Sequence, residues 1–169
     1  CAAQFERAGV RFMASSRLEQ LEPLRAFDMQ TPLMLIRIPM LSEAADVVRI
    51  TDISLNSEVE VLRELDRQAG IQDRIHQVLL MVDLGDLREG FWDKDELLDA
   101  ALMVENDLHN LHLAGVGTNL GCYGSVAATP EKLQELIDRA EMIEEKIGRE
   151  LEFISGGATS TLPRIMDGD

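Results

Sequence analysis

Short apolar runs alternating with amphipathic stretches predict an α/β protein built on a parallel sheet. Three observations carry the prediction. The alternation persists along the whole 169-residue chain. The runs are apolar on both faces, as strands covered by helices on either side must be. Polar, glycine-rich segments follow the carboxyl ends of the runs, where α/β folds keep their binding loops.

The elements follow in order. Cys1 to Ala8 reads as a helix already under way, and the chain does not begin with Met, which suggests a fragment. Val10 to Ala14 is the first strand-like run. Ser16 with Glu19 predicts a capping box opening a helix. Leu33 to Ile38 is the second run, interrupted by Arg37, and Ser42 is placed to cap the helix after it. Ile50 to Leu55 holds the third strand. Ser57 with Glu60 predicts another capping box, and Val59, Val61, Leu62 and Leu65 follow at helical spacing until Gly70. Val78 to Val82 is the most hydrophobic run. Asp93 with Glu96 opens a long helix to about Leu108. Leu111 to Thr118 is the fifth strand. Thr129-Pro130 starts a helix whose buried face is Leu133, Leu136, Ile137, Ala140 and Ile143, ended by Gly148. Leu151 to Ser155 is the last strand. About six βα units result. They fit either an open sheet or a (β/α)8 barrel of the TIM type present as an incomplete fragment of residues 1–169.

Composition narrows the function. Hydrophobic residues make up 46% and charged residues 28%, the profile of a globular domain. With 16 basic and 31 acidic residues the net charge is −15. Such a surface repels phosphate backbones and anionic lipid, which argues against nucleic-acid and membrane partners. Two cysteines, Cys1 and Cys122, cannot frame a small disulfide protein and fit a reducing cytoplasmic setting. No apolar run is long enough to span a bilayer. His76, His109 and His112 lack metal-ligand spacing, so no metal is expected.

Three loops carry candidate chemistry. Val82 to Gly90, VDLGDLREG, leaves a strand with Asp83, Asp86 and Arg88 between glycines. Arg88 has the planar fork to hold an anionic oxygen, or it pairs with Asp83 or Asp86; spacing leaves both open. Gly115 to Gly124, GVGTNLGCYG, has four glycines in ten residues. Cys122 is a nucleophile or a small buried side chain, and no histidine is placed to activate it. Tyr123 is a general acid, a ring-stacking group or packing. Ser155 to Pro163, SGGATSTLP, combines glycines with hydroxyls before a helix start, which makes a phosphate cup or an ordinary helix cap. No Walker loop or Gly-x-Gly-x-x-Gly opening weakens a nucleotide-binding reading.

The segments MVDLGDLREG, GVGTNLGCYG and ISGGATSTLP, with MASSRLEQL and DISLNSEVEVL, resemble the alanine/ornithine racemase family over nearly the whole chain. The resemblance implies a barrel that binds pyridoxal 5′-phosphate (PLP) at its mouth. It implies amino-acid racemisation by removal and return of the α-proton, with PLP as electron sink. It places Ser155, Gly156, Gly157, Thr159 and Ser160 at the phosphate, Arg88 near the phenolic oxygen and Asn119 by the ring. Alanine racemases carry a stacking His in Thr-His-Phe; here the triplet is Thr118-Asn119-Leu120. Their Asn-Ser at the phosphate loop is Ala158-Thr159 here.

Lys94, Lys132 and Lys146, the only lysines, fall in helical stretches. The resemblance therefore places the Schiff-base lysine on a strand preceding Cys1. It likewise expects a last strand and any C-terminal β domain beyond Asp169, and an inactive isolated fragment. Asp83, Asp86 or Glu89 would meet a distal amine of a substrate such as ornithine or lysine, or they would simply pair with Arg88 or face solvent. A homodimer is implied. Two other readings stand: a non-catalytic PLP-binding homeostasis protein of the same barrel type, and an α/β domain for another phosphorylated metabolite.

Overall fold

The structure, a computed structural model, describes residues 1–27, 29–121, 126–157 and 159–167. Six strands lie in one sheet in chain order. Register pairs Met13 with Leu33, Met34 with Ile53 and Gly115 with Phe153, all parallel. A parallel step needs a crossover, and a helix supplies it. Six in-order parallel strands with intervening helices are those of a partial (β/α)8 barrel, as the alternation predicts. Among the described residues no helix is long and apolar enough to cross a membrane.

The chain divides into two compact units, Cys1–Val78 with Leu108–His112, and Leu79–Asp107 with Leu113–Asp169. The first holds α1 (Ala2–Arg7), β1 (Met13–Ser15), α2 (Leu18–Ala26), β2 (Leu33–Leu35), a 3-10 turn (Leu41–Glu43), α3 (Ala44–Ile50), β3 (Ile53–Asn56), α4 (Val59–Ile71) and the start of β4 (His76–Met81). Its core is aliphatic: Leu21, Leu33, Leu35, Ile53, Leu62 and Leu65 are fully buried. Each such side chain contributes roughly 1.5–3 kcal/mol of transfer free energy. Helix α4 buries Val61, Leu62, Leu65 and Ala69 at the expected spacing.

At the amino ends of these strands, Asp52 gathers the unit. Its carboxylate accepts from Arg25 at 2.7 Å, from the Leu33 amide at 2.8 Å and from Arg74 at 3.4 Å. Arg25 and Arg74 also donate to the Ile50, Val48 and Arg49 carbonyls at the end of α3. Asp52 and its two arginines thereby tie α2, α3 and the first residue of β2 to the loops before β3 and β4.

Helix starts differ from the sequence pattern in three places. Strand β1 is Met13–Ser15 rather than the expected Val10–Ala14, with Met13 set opposite Leu33. Helix α2 starts after Arg17 with no side-chain cap, so the Ser16–Glu19 box is not formed; Ser15 instead accepts from the Arg17 amide at 3.1 Å and donates to Gln20 at 2.6 Å. Before α3 no side-chain cap forms at Ser42 or Glu43; Glu43 instead closes the preceding 3-10 turn by accepting from the Met40 amide at 3.0 Å. Helix α4 begins after Glu58 with no side-chain cap, so the Ser57–Glu60 box is not formed. Gly70 lies inside α4 and does not end it. A Cβ there would stand 3.0 Å from the Asn110 side chain, which occupies that space and bonds Asp66.

The second unit holds the rest of β4, α5 (Lys94–Asn106), β5 (Leu111–Gly117, whose first residues belong to the first unit), α6 (Pro130–Ile147), β6 (Phe153–Ser155), a 3-10 turn (Thr159–Thr161) and α7 (Leu162–Asp167). Asp93 caps α5 by accepting from the Asp95 and Glu96 amides. Thr129 caps α6 with Pro130 behind it, and Gly148 ends it in the left-handed region. Of the expected buried face of α6, Leu136, Ala140 and Ile143 are buried, whereas Ile137 is exposed. Arg149 holds Glu105 of α5 and the Leu113 carbonyl of β5.

Candidate functional site

The loops after β4, β5 and β6 meet within the second unit. After β4 the chain doubles back, so that the Phe91 amide donates to the Met81 carbonyl at 2.8 Å and the Asp83 amide to the Phe91 carbonyl at 3.1 Å. Gly90 permits this return: at φ +116° its missing Cβ would lie 2.5 Å from the Asp83 nitrogen. Inside the loop, Asp83 accepts from the Gly85 and Leu87 amides at 2.8 and 3.1 Å. Leu87 is held at φ 54°, which residues other than Gly, Asn and Asp seldom adopt. Asp83 and Asp86 are both buried. Asp83 thus spends one carboxylate oxygen on folding the loop.

Arg88 forms an ion pair with Glu89, its neighbour in sequence, to which it donates. The same oxygen of Glu89 also accepts from the Asn119 amide nitrogen at 2.6 Å. Arg88 and Asn119, which the sequence places in separate loops, are therefore joined through one carboxylate. Sequence reading gave Glu89 no such part, because its tie to Asn119 spans 30 residues and has no local signature.

The loop after β6 is knit to the end of β5. The Thr118 amide donates to the Ser155 carbonyl at 3.0 Å, and the Thr118 hydroxyl donates to the Val82 carbonyl at 2.8 Å. Gly157, at φ +103°, passes so close to β5 that a Cβ would stand 2.5 Å from the Thr118 oxygen. Ser160 donates its hydroxyl to the Leu120 carbonyl at 2.5 Å, and Thr161 donates to the Gly156 carbonyl at 3.0 Å. The amides of Gly156 and Gly157 donate to no carbonyl among the described residues. With Ser155, Gly157, Thr159 and Ser160 exposed, these open main-chain donors fit an anion such as phosphate. Ser160 contributes by anchoring the loop. Cys122 and Tyr123 lie outside the described residues.

Lys94 begins α5, and Lys132 and Lys146 lie on α6, as the sequence suggested. Among the described residues no cluster of three metal-binding side chains occurs.

The first unit holds a buried polar chain that the sequence did not single out. His76 Nε2 and the Ser54 hydroxyl are 2.8 Å apart, and the Asn56 amide donates to the Ser54 hydroxyl and carbonyl at 3.1 and 3.0 Å. All three residues are buried. A carbonyl can only accept, so the Asn56 nitrogen must face it, and Asn56 Oδ1 is left without a donor. Burial pushes the His76 imidazole down to about 4, aided by Arg74 and opposed by Asp52 and the Thr51 carbonyl. The ring is neutral at pH 7. Its Nδ1 makes no bond within hydrogen-bonding geometry, although the Thr51 carbonyl is near enough to favour its charged form slightly.

Parallel strands in chain order, with intervening helices and polar loops after β4, β5 and β6, define a partial (β/α) barrel. The match to known proteins is more specific. The chain belongs to the alanine racemase N-terminal domain family, which it matches over residues 1–167. It is 38% identical over 166 residues to an ornithine racemase of Acetoanaerobium sticklandii, covering 98% of this chain and 46% of that protein. It is 31% identical over 168 residues to a lysine racemase of Thermotoga maritima, covering 99% of this chain and 46% of that one. The chain thus spans less than half the length of these curated relatives. Among solved structures, an alanine racemase of Clostridium difficile 630 in complex with cycloserine superposes with a TM-score of 0.76 at 15% identity, over 95% of this chain and 44% of that one. PipY of Synechococcus elongatus with PLP bound superposes with a TM-score of 0.77 at 22% identity, over 98% of this chain and 80% of that one. These two likenesses concern the fold.

Proposed function

We propose that the chain is the cofactor-binding barrel segment of a PLP-dependent racemase whose substrate is a diamino acid of the ornithine or lysine type. The observation that carries the reading is the pair of curated relatives, both racemases of such amino acids, each matched along nearly the whole chain. The loop after β6 supports it. Gly156 and Gly157 would hold the phosphate through main-chain N–H groups, with Ser155 and Thr159 at its rim. Ser160 holds the loop against Leu120. Arg88 would face the cofactor's anionic oxygen with the N–H groups that Glu89 leaves unused. Asn119, its nitrogen bound to Glu89, presents an amide oxygen in place of a stacking ring. PLP, when bound, supplies the electron sink that makes an amino acid's α-proton removable. The loops after β4 and β6 orient the bound molecule so that the proton leaves one face and returns to the other.

The test is borohydride reduction of the full-length gene product with PLP, followed by peptide mapping and a racemase assay on L- and D-ornithine. A pyridoxyl label on a lysine N-terminal to Cys1, with turnover, supports the reading. A label on Lys94, Lys132 or Lys146, or none, refutes it. Stable labelling without turnover of any amino acid would instead favour a PLP carrier. The reading also implies a homodimer, which sedimentation of the same protein checks.

A further inference from the structure

Glu89 stands between two residues that the cofactor reading uses and is itself given no part by that reading. Its side chain is 10% exposed, against 38% for Arg88. Arg88 and Asn119 both donate to one of its oxygens. Arg88 is a long side chain on a loop, and by itself it would sample many rotamers. A largely buried carboxylate removes that freedom and leaves the remaining guanidinium N–H groups aimed elsewhere. Asn119 gains as much: because a carboxylate only accepts, its nitrogen must face Glu89 and its oxygen must face away. The loop is itself braced for this, by Asp83 on its backbone and by the return of Phe91 to Met81.

Resting on the PLP reading above, we propose that Glu89 is a positioning residue which holds Arg88 and Asn119 in fixed orientation toward the cofactor, coupling the loop after β4 to the end of β5. Glu89 does not touch the substrate in this assignment.

The experiment uses the full-length protein and its Glu89→Ala, Glu89→Gln, Asn119→Ala and Glu89→Ala/Asn119→Ala variants. The wild type is first titrated with PLP, followed by absorbance and by circular dichroism in the cofactor band. Failure of the wild type to bind overturns the cofactor reading itself. If it binds, Glu89→Ala is expected to weaken PLP affinity about tenfold, equivalent to about 1.4 kcal/mol, and to change the cofactor's dichroism. Glu89→Gln, which keeps an acceptor oxygen, is expected to recover much of both. The double variant is expected to lose less than the product of the two single losses. Thermal melting of each apo-protein confirms that the variants are folded; if Glu89→Ala does not fold, Glu89→Asp, whose shortened side chain draws the carboxylate away from Arg88 and Asn119, takes its place and is expected to show the same loss. PLP affinity and dichroism within about twofold of wild type in both Glu89 variants, whether or not the KM for ornithine rises, would overturn the proposal. A raised KM in that setting would mark Glu89 as facing the substrate's distal amine instead.

Discussion

Lowering the pH tests the buried histidine of the first unit. His76 is pushed down to about 4 from an ordinary value near 6.5. Between those values the unfolded chain binds a proton at His76 that the folded chain refuses. Stability is therefore full above about pH 6.5 and falls as the pH drops toward 4. The whole span corresponds to about 3 kcal/mol, and the step from pH 7 to pH 5 to about 2 kcal/mol. The charged groups acting on the ring are Arg74, which favours the neutral form, and Asp52, which opposes it. Carboxylates titrate in the same range, so the informative quantity is a difference between proteins. His76→Gln removes the titrating group and retains a side chain able to bond Ser54. Urea unfolding of the full-length protein and this variant at pH 7 and pH 5 should show the wild type losing about 2 kcal/mol more than the variant. Equal losses, or a His76 ring that titrates by NMR near 6.5, would refute the argument from burial.

Three further outcomes are expected. Asp52→Ala leaves the Leu33 amide and Arg25 without their shared acceptor and should cost about 2–4 kcal/mol, with faster hydrogen exchange at the Leu33 amide; Asp52→Asn should cost less. Gly90→Ala forces a Cβ onto the Asp83 backbone, so the loop should open, and tryptic cleavage after Arg88 should accelerate several-fold; an unchanged cleavage rate would count against the close return of Phe91. Asp93→Ala removes the two capping bonds of α5 and should lower stability by about 1 kcal/mol, with Asp93→Ser nearly neutral by the same urea measurement.

Much of the architecture is legible in the residues. Double-faced apolar runs such as Val78–Val82 must be covered on both sides, and that requirement alone indicates a parallel sheet. Thr129-Pro130 and Gly148 mark both ends of α6 because their preferences are local. The Ser16–Glu19 and Ser57–Glu60 patterns mislead for a matching reason. The helices start after Arg17 and Glu58, one residue later than the boxes require, so neither serine stands at the N-cap. The candidate site is legible as loops, through glycine density and hydroxyls, but not as bonds. Ser160 reaches Leu120 across 40 residues and Glu89 reaches Asn119 across 30. His76 reads as one more residue at the head of an apolar run until Ser54 and Asn56 are brought beside it.

The segment Leu108–His112 packs with the first unit although the second unit's Leu79–Asp107 precedes it in the chain. The Asn110 amide reaches Asp66 at 2.8 Å across 44 residues, and the His76 amide donates to the Asn110 carbonyl. During synthesis the first unit therefore waits for its last five residues. At about 5–20 residues per second, Leu79–Asp107 must emerge over roughly a few seconds before Asn110 can fill the space beside Gly70. Through that interval the His76 amide lacks its Asn110 acceptor and the Asp66 carboxylate its donor, so the amino end of the strand His76–Met81 stays unpaired until Asn110 arrives.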